Sequence, residues 1–234
     1  MTDRLPSGER RETGAAAMLS GEELAELAML EAYRQYGEDP WLFVKECCRT
    51  KDEADGGKVK SVPDKGYLRY VTEVWREESL LAIPKSRRML MTWLFLCLHL
   101  WAALTRPNAA VFIQSKKQED SEFLLGEDRL MFVYRQLPQE FPWPALEKAM
   151  AGKSGKGYAY LRFANGSYVA AVGQGPDQLR QYTASHVYLT ELAFWEWAEE
   201  TFASLLPTIQ GGGKVTIDSS AGPGFFDRLI HGEL

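Results

Sequence analysis

The chain has 234 residues, 45% hydrophobic and 25% charged, a globular composition with enough length for a sizeable core, which excludes a disordered, collagenous or disulfide-scaffold protein. Lys and Arg number 27 against 32 Asp and Glu, a net charge of −5 that excludes a generally basic nucleic-acid coat but not a local basic site. The three cysteines, adjacent Cys47 and Cys48 and isolated Cys97, have no metal-ligand spacing and fit a reduced, cytoplasmic protein.

Residues 1–19 are charged and then Ala-rich, and are expected to be disordered, with no apolar signal region. Ser20 and Glu23 form a capping box that starts a helix with Leu24, Leu27, Ala28 and Leu30 on one face. Asp39-Pro40 is a second helix start, with Asp39 as cap and Pro40 at the first helical position, running to about Arg49. Charges and Gly56-Gly57 mark residues 51–61 as a mobile loop, and a third helix is expected over 66–78. Residues 20–61 thus read as an N-terminal helical segment and 62–234 as the main domain.

From Ser79 the pattern changes. A short apolar run over 79–83 ends at Pro84, and a basic stretch leads into an apolar helix over 92–105. Its run from Trp93 to Leu104 is far short of the ~20 residues a membrane helix needs and contains His99, so it reads as a buried core helix. A buried strand over 109–113 and a helix over 118–136 follow. This is the rhythm of a parallel sheet covered by helices. Residues 158–163 and 167–172 flank Asn165-Gly166, a type I′ hairpin signal. A loop over 173–181, a strand over 186–190, a helix over 195–206 and a strand over 214–217 complete the reading.

Between Ser79 and Gln118 there is no acidic residue, while Lys85, Arg87, Arg88, Arg106, Lys116 and Lys117 are all basic. A buried helix explains Trp93–Leu104, but not three positive charges within Lys85-Ser-Arg-Arg88. Such a window, starting at a strand-to-helix turn, points to an anion site. Aligned on Thr92, the phosphate-loop pattern lacks both glycines and the lysine: Lys85, Leu90 and Met91 occupy those slots. The mechanism survives in a strand end, backbone amides, a helix N-terminus, the Thr92 hydroxyl for magnesium and the Lys85 ammonium. A second segment, His186-Val-Tyr-Leu-Thr190-Glu191, is a strand ending in a carboxylate, where phosphate-loop enzymes end a neighbouring strand in Asp-Glu. Glu191 is either a water-orienting base or a helix-capping acid. A third, Val215-Thr-Ile-Asp-Ser-Ser-Ala-Gly222, ends a strand in a small hydroxyl cluster suited to sensing a γ-phosphate, or forms a plain polar turn.

With Gly175-Pro-Asp-Gln-Leu-Arg180 and Glu191-Leu-Ala-Phe194, these segments resemble the ATPase domain of the large terminase subunit of tailed bacteriophages and prophages, over roughly residues 62–234. The resemblance implies an α/β phosphate-loop NTPase fold of the ASCE type, its mainly parallel sheet flanked by helices. It implies ATP hydrolysis with Mg2+, driving double-stranded DNA into a procapsid. It makes residues 85–92 (Lys85, Ser86, Arg87, Arg88, Met89, Leu90, Met91, Thr92) the Walker A loop and residues 187–191 the Walker B strand, with Tyr67 stacking on adenine. Arg87 is then the arginine within the loop, with Arg88 as the alternative, and Arg180 a finger acting on a neighbouring subunit's ATP. Glu191 is the base, Thr92 and Thr190 attend the metal, and Ser219 and Ser220 belong to the coupling motif.

The implied partners are DNA, a portal protein, a small terminase subunit and further copies in a ring, the isolated domain being a monomer. The implied place is the host bacterial cytoplasm, with no membrane. DNA contacts would come from Lys116-Lys117 or Lys153–Lys156. Two departures stand out: Thr190 replaces the family's usual Asp, and Leu90 a usual Gly. Past Gly222 only Asp227 and Glu233 are acidic, too few for the family's RNase H-type nuclease, so an isolated motor domain is expected. The rival reading is a catalytically silent module that docks to portal or small terminase; Leu90, Met91 and Thr190 favour it.

Overall fold

The computed structural model of the protein describes residues 20–233, so the stretch expected to be disordered lies outside the described residues. Helix α4 (Met91–Thr105) carries no charge, and 13 of its 15 residues are buried. A helix that is apolar all round has to be covered on every side. The sheet covers one side. Helix α3 (Gly66–Glu77), helix α6 (Leu130–Arg135) and a π-helical turn at Phe43–Cys47 cover the other.

The sheet has seven strands in the order β3-β9-β8-β4-β7-β6-β5. The first five, β3 (Leu80–Pro84), β9 (Lys214–Ser219), β8 (His186–Thr190), β4 (Ala110–Ser115) and β7 (Tyr168–Gly173), run parallel. The last two, β6 (Tyr158–Phe163) and β5 (Leu146–Ala151), form an antiparallel edge. Every residue of β4 and β8 is buried, as expected for parallel strands with both faces covered. On the face away from α4, Val187, Leu189, Val215 and Ile217 pack with Phe202 of α7 (Ala198–Gln210) and Phe226 of α8 (Phe225–His231).

The N-terminal helix α1 (Gly21–Glu38) begins at the expected capping box: Ser20 Oγ accepts from the Glu23 N–H at 3.3 Å and Glu23 Oε2 accepts from the Ser20 N–H at 2.7 Å. Its leucine face is exposed, with Leu24 54% accessible. Several other expectations are corrected. Asp39 does cap the next turn, but the α-helix there, α2, is only Pro40–Leu42 before the π-helical turn, and Arg49–Asp52 is a strand, β1. The expected loop over 51–61 is an antiparallel hairpin of β1 with β2 (Lys58–Ser61). The helix expected over 118–136 is broken into α5 (Gln118–Leu124) and α6. Gly126 lies at the break, where a Cβ would stand 3.0 Å from the carbonyl oxygens of Lys156 and Phe123. The Asn165-Gly166 hairpin forms, but only Gly166 has positive φ, so the turn is not type I′. Asn165 Nδ2 instead donates to the Ala103 carbonyl at 2.8 Å and caps the end of α4.

Two histidines are enclosed between the sheet and its helices. His99 Nδ1 lies 2.7 Å from the Phe95 carbonyl, and the ring stacks on Tyr188. His186 stacks on Trp75, whose indole donates to Thr216 Oγ1 at 2.9 Å. Burial pushes the His99 imidazolium pKa down to about 4, and burial, helped by His99 and Arg106, pushes His186 to about 2. In the unfolded chain both titrate near ~6.5. Below that pH the unfolded chain takes up protons that the fold excludes, so these residues subtract stability as pH falls from 6.5 toward 4. His99→Gln is therefore expected to flatten the decline of unfolding free energy by up to ~1.4 kcal/mol per pH unit. Urea unfolding at pH 7, 6 and 5 checks this; equal slopes in parent and variant would refute it.

Candidate active site

Three parallel strands end at one level because their registers agree: Asp218 of β9 pairs with Ile83 of β3 on one side and with Thr190 of β8 on the other. The backbone continues both ladders by one residue. The Lys85 N–H donates to the Ser219 carbonyl at 2.9 Å, and the Glu191 N–H donates to the Asp218 carbonyl at 2.7 Å. Ligands of open α/β sheets bind at such carboxyl ends. The expectation that Glu191 ends the strand beside the loop strand is corrected, since β9 lies between β3 and β8.

The side chains at this level are charged. Lys85 Nζ donates to Glu191 Oε1 at 2.7 Å and lies 3.8 Å from Asp218 Oδ2. The Lys85 side chain is only 10% exposed, and Asp218 is fully buried. Neither Asp218 oxygen has a hydrogen-bond partner of good geometry. Burial raises the Asp218 carboxyl to about 6, against the pull of the Lys85 ammonium and of the Thr190 and Tyr188 hydroxyls. Glu191 Oε2 accepts from the Ser220 N–H at 3.3 Å, and Ser219 Oγ accepts from the Ala193 N–H at 3.1 Å. The two expected coupling residues thus tie the end of β9 to the Glu191 turn. The Trp195 indole donates to the Thr190 carbonyl at 3.1 Å on the far side of that turn.

Among the described residues four non-glycines have positive φ: Arg88 (64°), Leu90 (57°), Glu191 (58°) and Asn108 (58°). Three of the four border this site. Left-handed backbone costs an L-residue roughly 1–2 kcal/mol, so its concentration here singles out this edge of the sheet as the candidate site. Leu90 occupies the usual glycine slot in a glycine conformation. It also precedes α4 with no side-chain cap, which leaves first-turn N–H groups without helical partners and the positive end of the helix dipole at the loop. A helix N-terminus of this kind is suited to an anion.

A cavity of about 940 Å³ opens over the loop. Of the expected nucleotide residues, Lys85, Ser86, Arg88, Met89, Leu90, Met91 and Thr92 line it together with Thr190 and Glu191. Arg87 is exposed and outside the lining, so Arg88 is the loop arginine that faces the cavity. Tyr67 is outside it too: its hydroxyl donates to the Met89 carbonyl at 3.3 Å while the ring packs on the core, and Pro63 and Lys65 of the same segment reach the cavity instead. Arg180 lies elsewhere on the surface, 3.0 Å from Asp177. Lys116 lines the cavity as well, whereas Lys156 is paired with Glu119 at 3.0 Å.

The sequence reading missed one wall of the cavity, supplied by Thr50, Lys51 and Lys60 of the β1–β2 hairpin and by Arg129, whose guanidinium lies over the Trp93 and Phe123 rings. It also passed over the side chain of Asp218. The available signal was that Asp218 is the only acid between Glu200 and Asp227 and directly follows the strand residues Val215-Thr-Ile217. No group of three His, Cys, Asp or Glu side chains among the described residues is placed to hold a metal ion. Thr92 and Thr190 offer hydroxyl oxygens, the donor type magnesium takes.

The sequence matches no protein-family model and no curated protein. The fold is similar to that of the HK97 bacteriophage large terminase, with a TM-score of 0.58 at 13% identity over 80% of this chain and 38% of that one. The chain therefore spans well under half of that protein. The large terminase of a thermophilic bacteriophage, solved with ADP, superposes with a TM-score of 0.47 at 15% identity, over 67% of this chain and 39% of that one. The ATPase domain of the Thermus phage P74-26 large terminase gives 0.38 at 14% identity, over 63% and 61%. The chain has an α/β fold, a mainly parallel sheet flanked by helices, that it shares with the HK97 large terminase.

The left-handed backbone at Leu90 makes a direct prediction. Leu90→Ala and Leu90→Gly remove the same packing and differ chiefly in tolerance of positive φ. The Gly variant is expected to be more stable than the Ala variant by about 1 kcal/mol, the reverse of the order in a helix interior. Thermal unfolding of the pair measures this, and an Ala variant of equal or greater stability would contradict the assigned conformation.

Proposed function

We propose that this chain is the ATP-hydrolysing motor domain of a DNA-packaging large terminase. The observation that carries the reading is the Lys85–Glu191 pair at the mouth of a cavity floored by an uncapped helix N-terminus. ATP phosphates lie over residues 85–92, countered by Lys85 and Arg88 and by the free N–H groups of α4. Magnesium, when bound, neutralises phosphate charge, with Thr92 and Thr190 in its shell. The Lys85 ammonium donates to the Glu191 carboxylate at 2.7 Å. A phosphate that draws Lys85 away frees Glu191 to orient and deprotonate water. Ser220, donating to the same carboxylate, links this change to the end of β9. Pro63, Lys65 and the β1–β2 hairpin wall the nucleoside end.

The further steps follow the resemblance: translocation of double-stranded DNA into a procapsid, a ring of copies on a portal, a small terminase partner, and action in the bacterial host cytoplasm. Arg180, exposed and away from the cavity of its own subunit, acts on the neighbouring subunit's ATP.

Glu191→Gln keeps shape and hydrogen bonding but removes the base. Hydrolysis in the assembled motor is expected to fall by about 10²-fold or more while ATP binding persists, as measured by phosphate release and fluorescent-nucleotide titration. Lys85→Ala is expected to weaken ATP binding more than Arg76→Ala, an exposed charge on α3. Glu191→Gln hydrolysing like the parent would remove Glu191 as the base, and a parent that hydrolyses no ATP in the assembled motor would favour the silent docking module.

Turnover per subunit is expected to rise with protein concentration, and Arg180→Ala to abolish that rise, since arginine fingers contribute ~10³–10⁵ in rate in related chemistry. A dilute monomer at full rate, indifferent to Arg180→Ala, would remove the role.

A further inference from the structure

Thr190, the last residue of β8, is neutral and Glu191 just beyond it is held by Lys85, while the next strand carries a carboxylate at the level of Thr190. Thr190 and Asp218 are register partners. They also share a face. On β9, Val215 and Ile217 belong to the core under α7 and α8. The alternating Thr216 and Asp218 therefore face the other way, and Thr216 indeed meets the Trp75 indole there. On β8, Tyr188 belongs to the core under α4, so Thr190 faces α4 as well. The N-terminus of that helix carries Thr92, which lines the cavity with Thr190, and Asp218 lies fully buried beneath that lining.

The Asp218 oxygens are buried without partners of good geometry, and Lys85 Nζ lies nearer to Glu191, at 2.7 Å, than to Asp218, at 3.8 Å. A carboxylate left so incompletely satisfied in a protein interior is costly unless something of opposite charge completes it. A hydrated divalent cation accompanying the nucleotide would do so, because such ions take oxygen donors and keep several of their waters.

We propose that Asp218 is the acidic metal-holding residue of this site, supplying from β9 the carboxylate that Thr190 does not supply from β8 to the divalent cation accompanying the nucleotide. This rests on the nucleotide reading of the cavity and deepens it. The Asp218 carboxylate lies one strand sideways from Thr190, at the same height and on the same face, so the cation keeps an acidic neighbour although Thr190 is neutral.

The test is Mn2+ titration into purified protein saturated with ADP, followed by electron paramagnetic resonance, with ADP affinity in EDTA measured in parallel. Asp218→Asn is expected to weaken Mn2+ binding roughly 10–100-fold. ADP affinity in EDTA should be unchanged or higher, since a negative charge near the phosphates has gone. The swap Thr190→Asp with Asp218→Asn returns the carboxylate to β8 and is expected to restore Mn2+ affinity to within a few-fold of the parent. It keeps the charge beside Lys85, so it can be judged even if Asp218→Asn alone does not fold. Equal Mn2+ affinity in parent and Asp218→Asn, or a folded swap that fails to bind Mn2+, would overturn the assignment and leave the nucleotide site standing. A parent that binds no ADP with or without Mn2+ would overturn both.

Discussion

One ammonium, Lys85 Nζ, sits near carboxylates from two strands, at 2.7 Å from Glu191 and 3.8 Å from Asp218, beside a helix end that is itself positive. Removing Lys85 leaves the fully buried Asp218 carboxylate uncompensated, a loss of several kcal/mol in typical proteins, whereas Glu191, 37% exposed, is partly screened by solvent. The arrangement therefore constrains everything that positions it. The ends of β3, β9 and β8 have to stay level, and a one-residue slip of β9 would turn Asp218 into the apolar core under α7. The loop after β3 has to rise and re-enter α4 within six residues, which is where the left-handed residues fall.

Much of this was legible in the chain itself, for physical reasons. Short segments rich in apolar and β-branched residues mark β3, β4, β8 and β9 close to their observed ends, and the charge-free α4 could only be a covered helix. What was missed lies where burial leaves no pattern. The β1–β2 hairpin is built from polar Arg49–Asp52 and Lys58–Ser61, with no apolar alternation to register. The edge strand β5, Leu146–Ala151, has residues that favour helices and is mostly exposed. The break at Gly126 follows from a close approach to Gly157 and Lys156, a tertiary fact with no local mark beyond the glycine.

The site was legible as a set of segments but not as a set of side chains. The segments around Lys85, Glu191 and Ser219 do converge. Which arginine faces the cavity depends on left-handed turns at Arg88 and Leu90, and neither residue announces such a turn. Tyr67 is turned away by its bond to the Met89 carbonyl. Asp218 was hidden because β9 inserts between β3 and β8, a pairing that no local pattern encodes. Local rules fail here in a cluster, as they do where a chain gives up stability for a site.

The central position of β9 also has a mechanical consequence. It is bonded through five residue pairs to β3 and through five to β8. Sliding one outer strand past the other would shear a whole ladder at once, so the three behave as a stiff plate. The compliant parts are the segments that leave the plate: residues 85–90, the turn at 191–194 and the stretch at 220–224. A load applied at the rim is carried across the plate with little loss and appears as bending of those three short segments, all of which lie at the same edge.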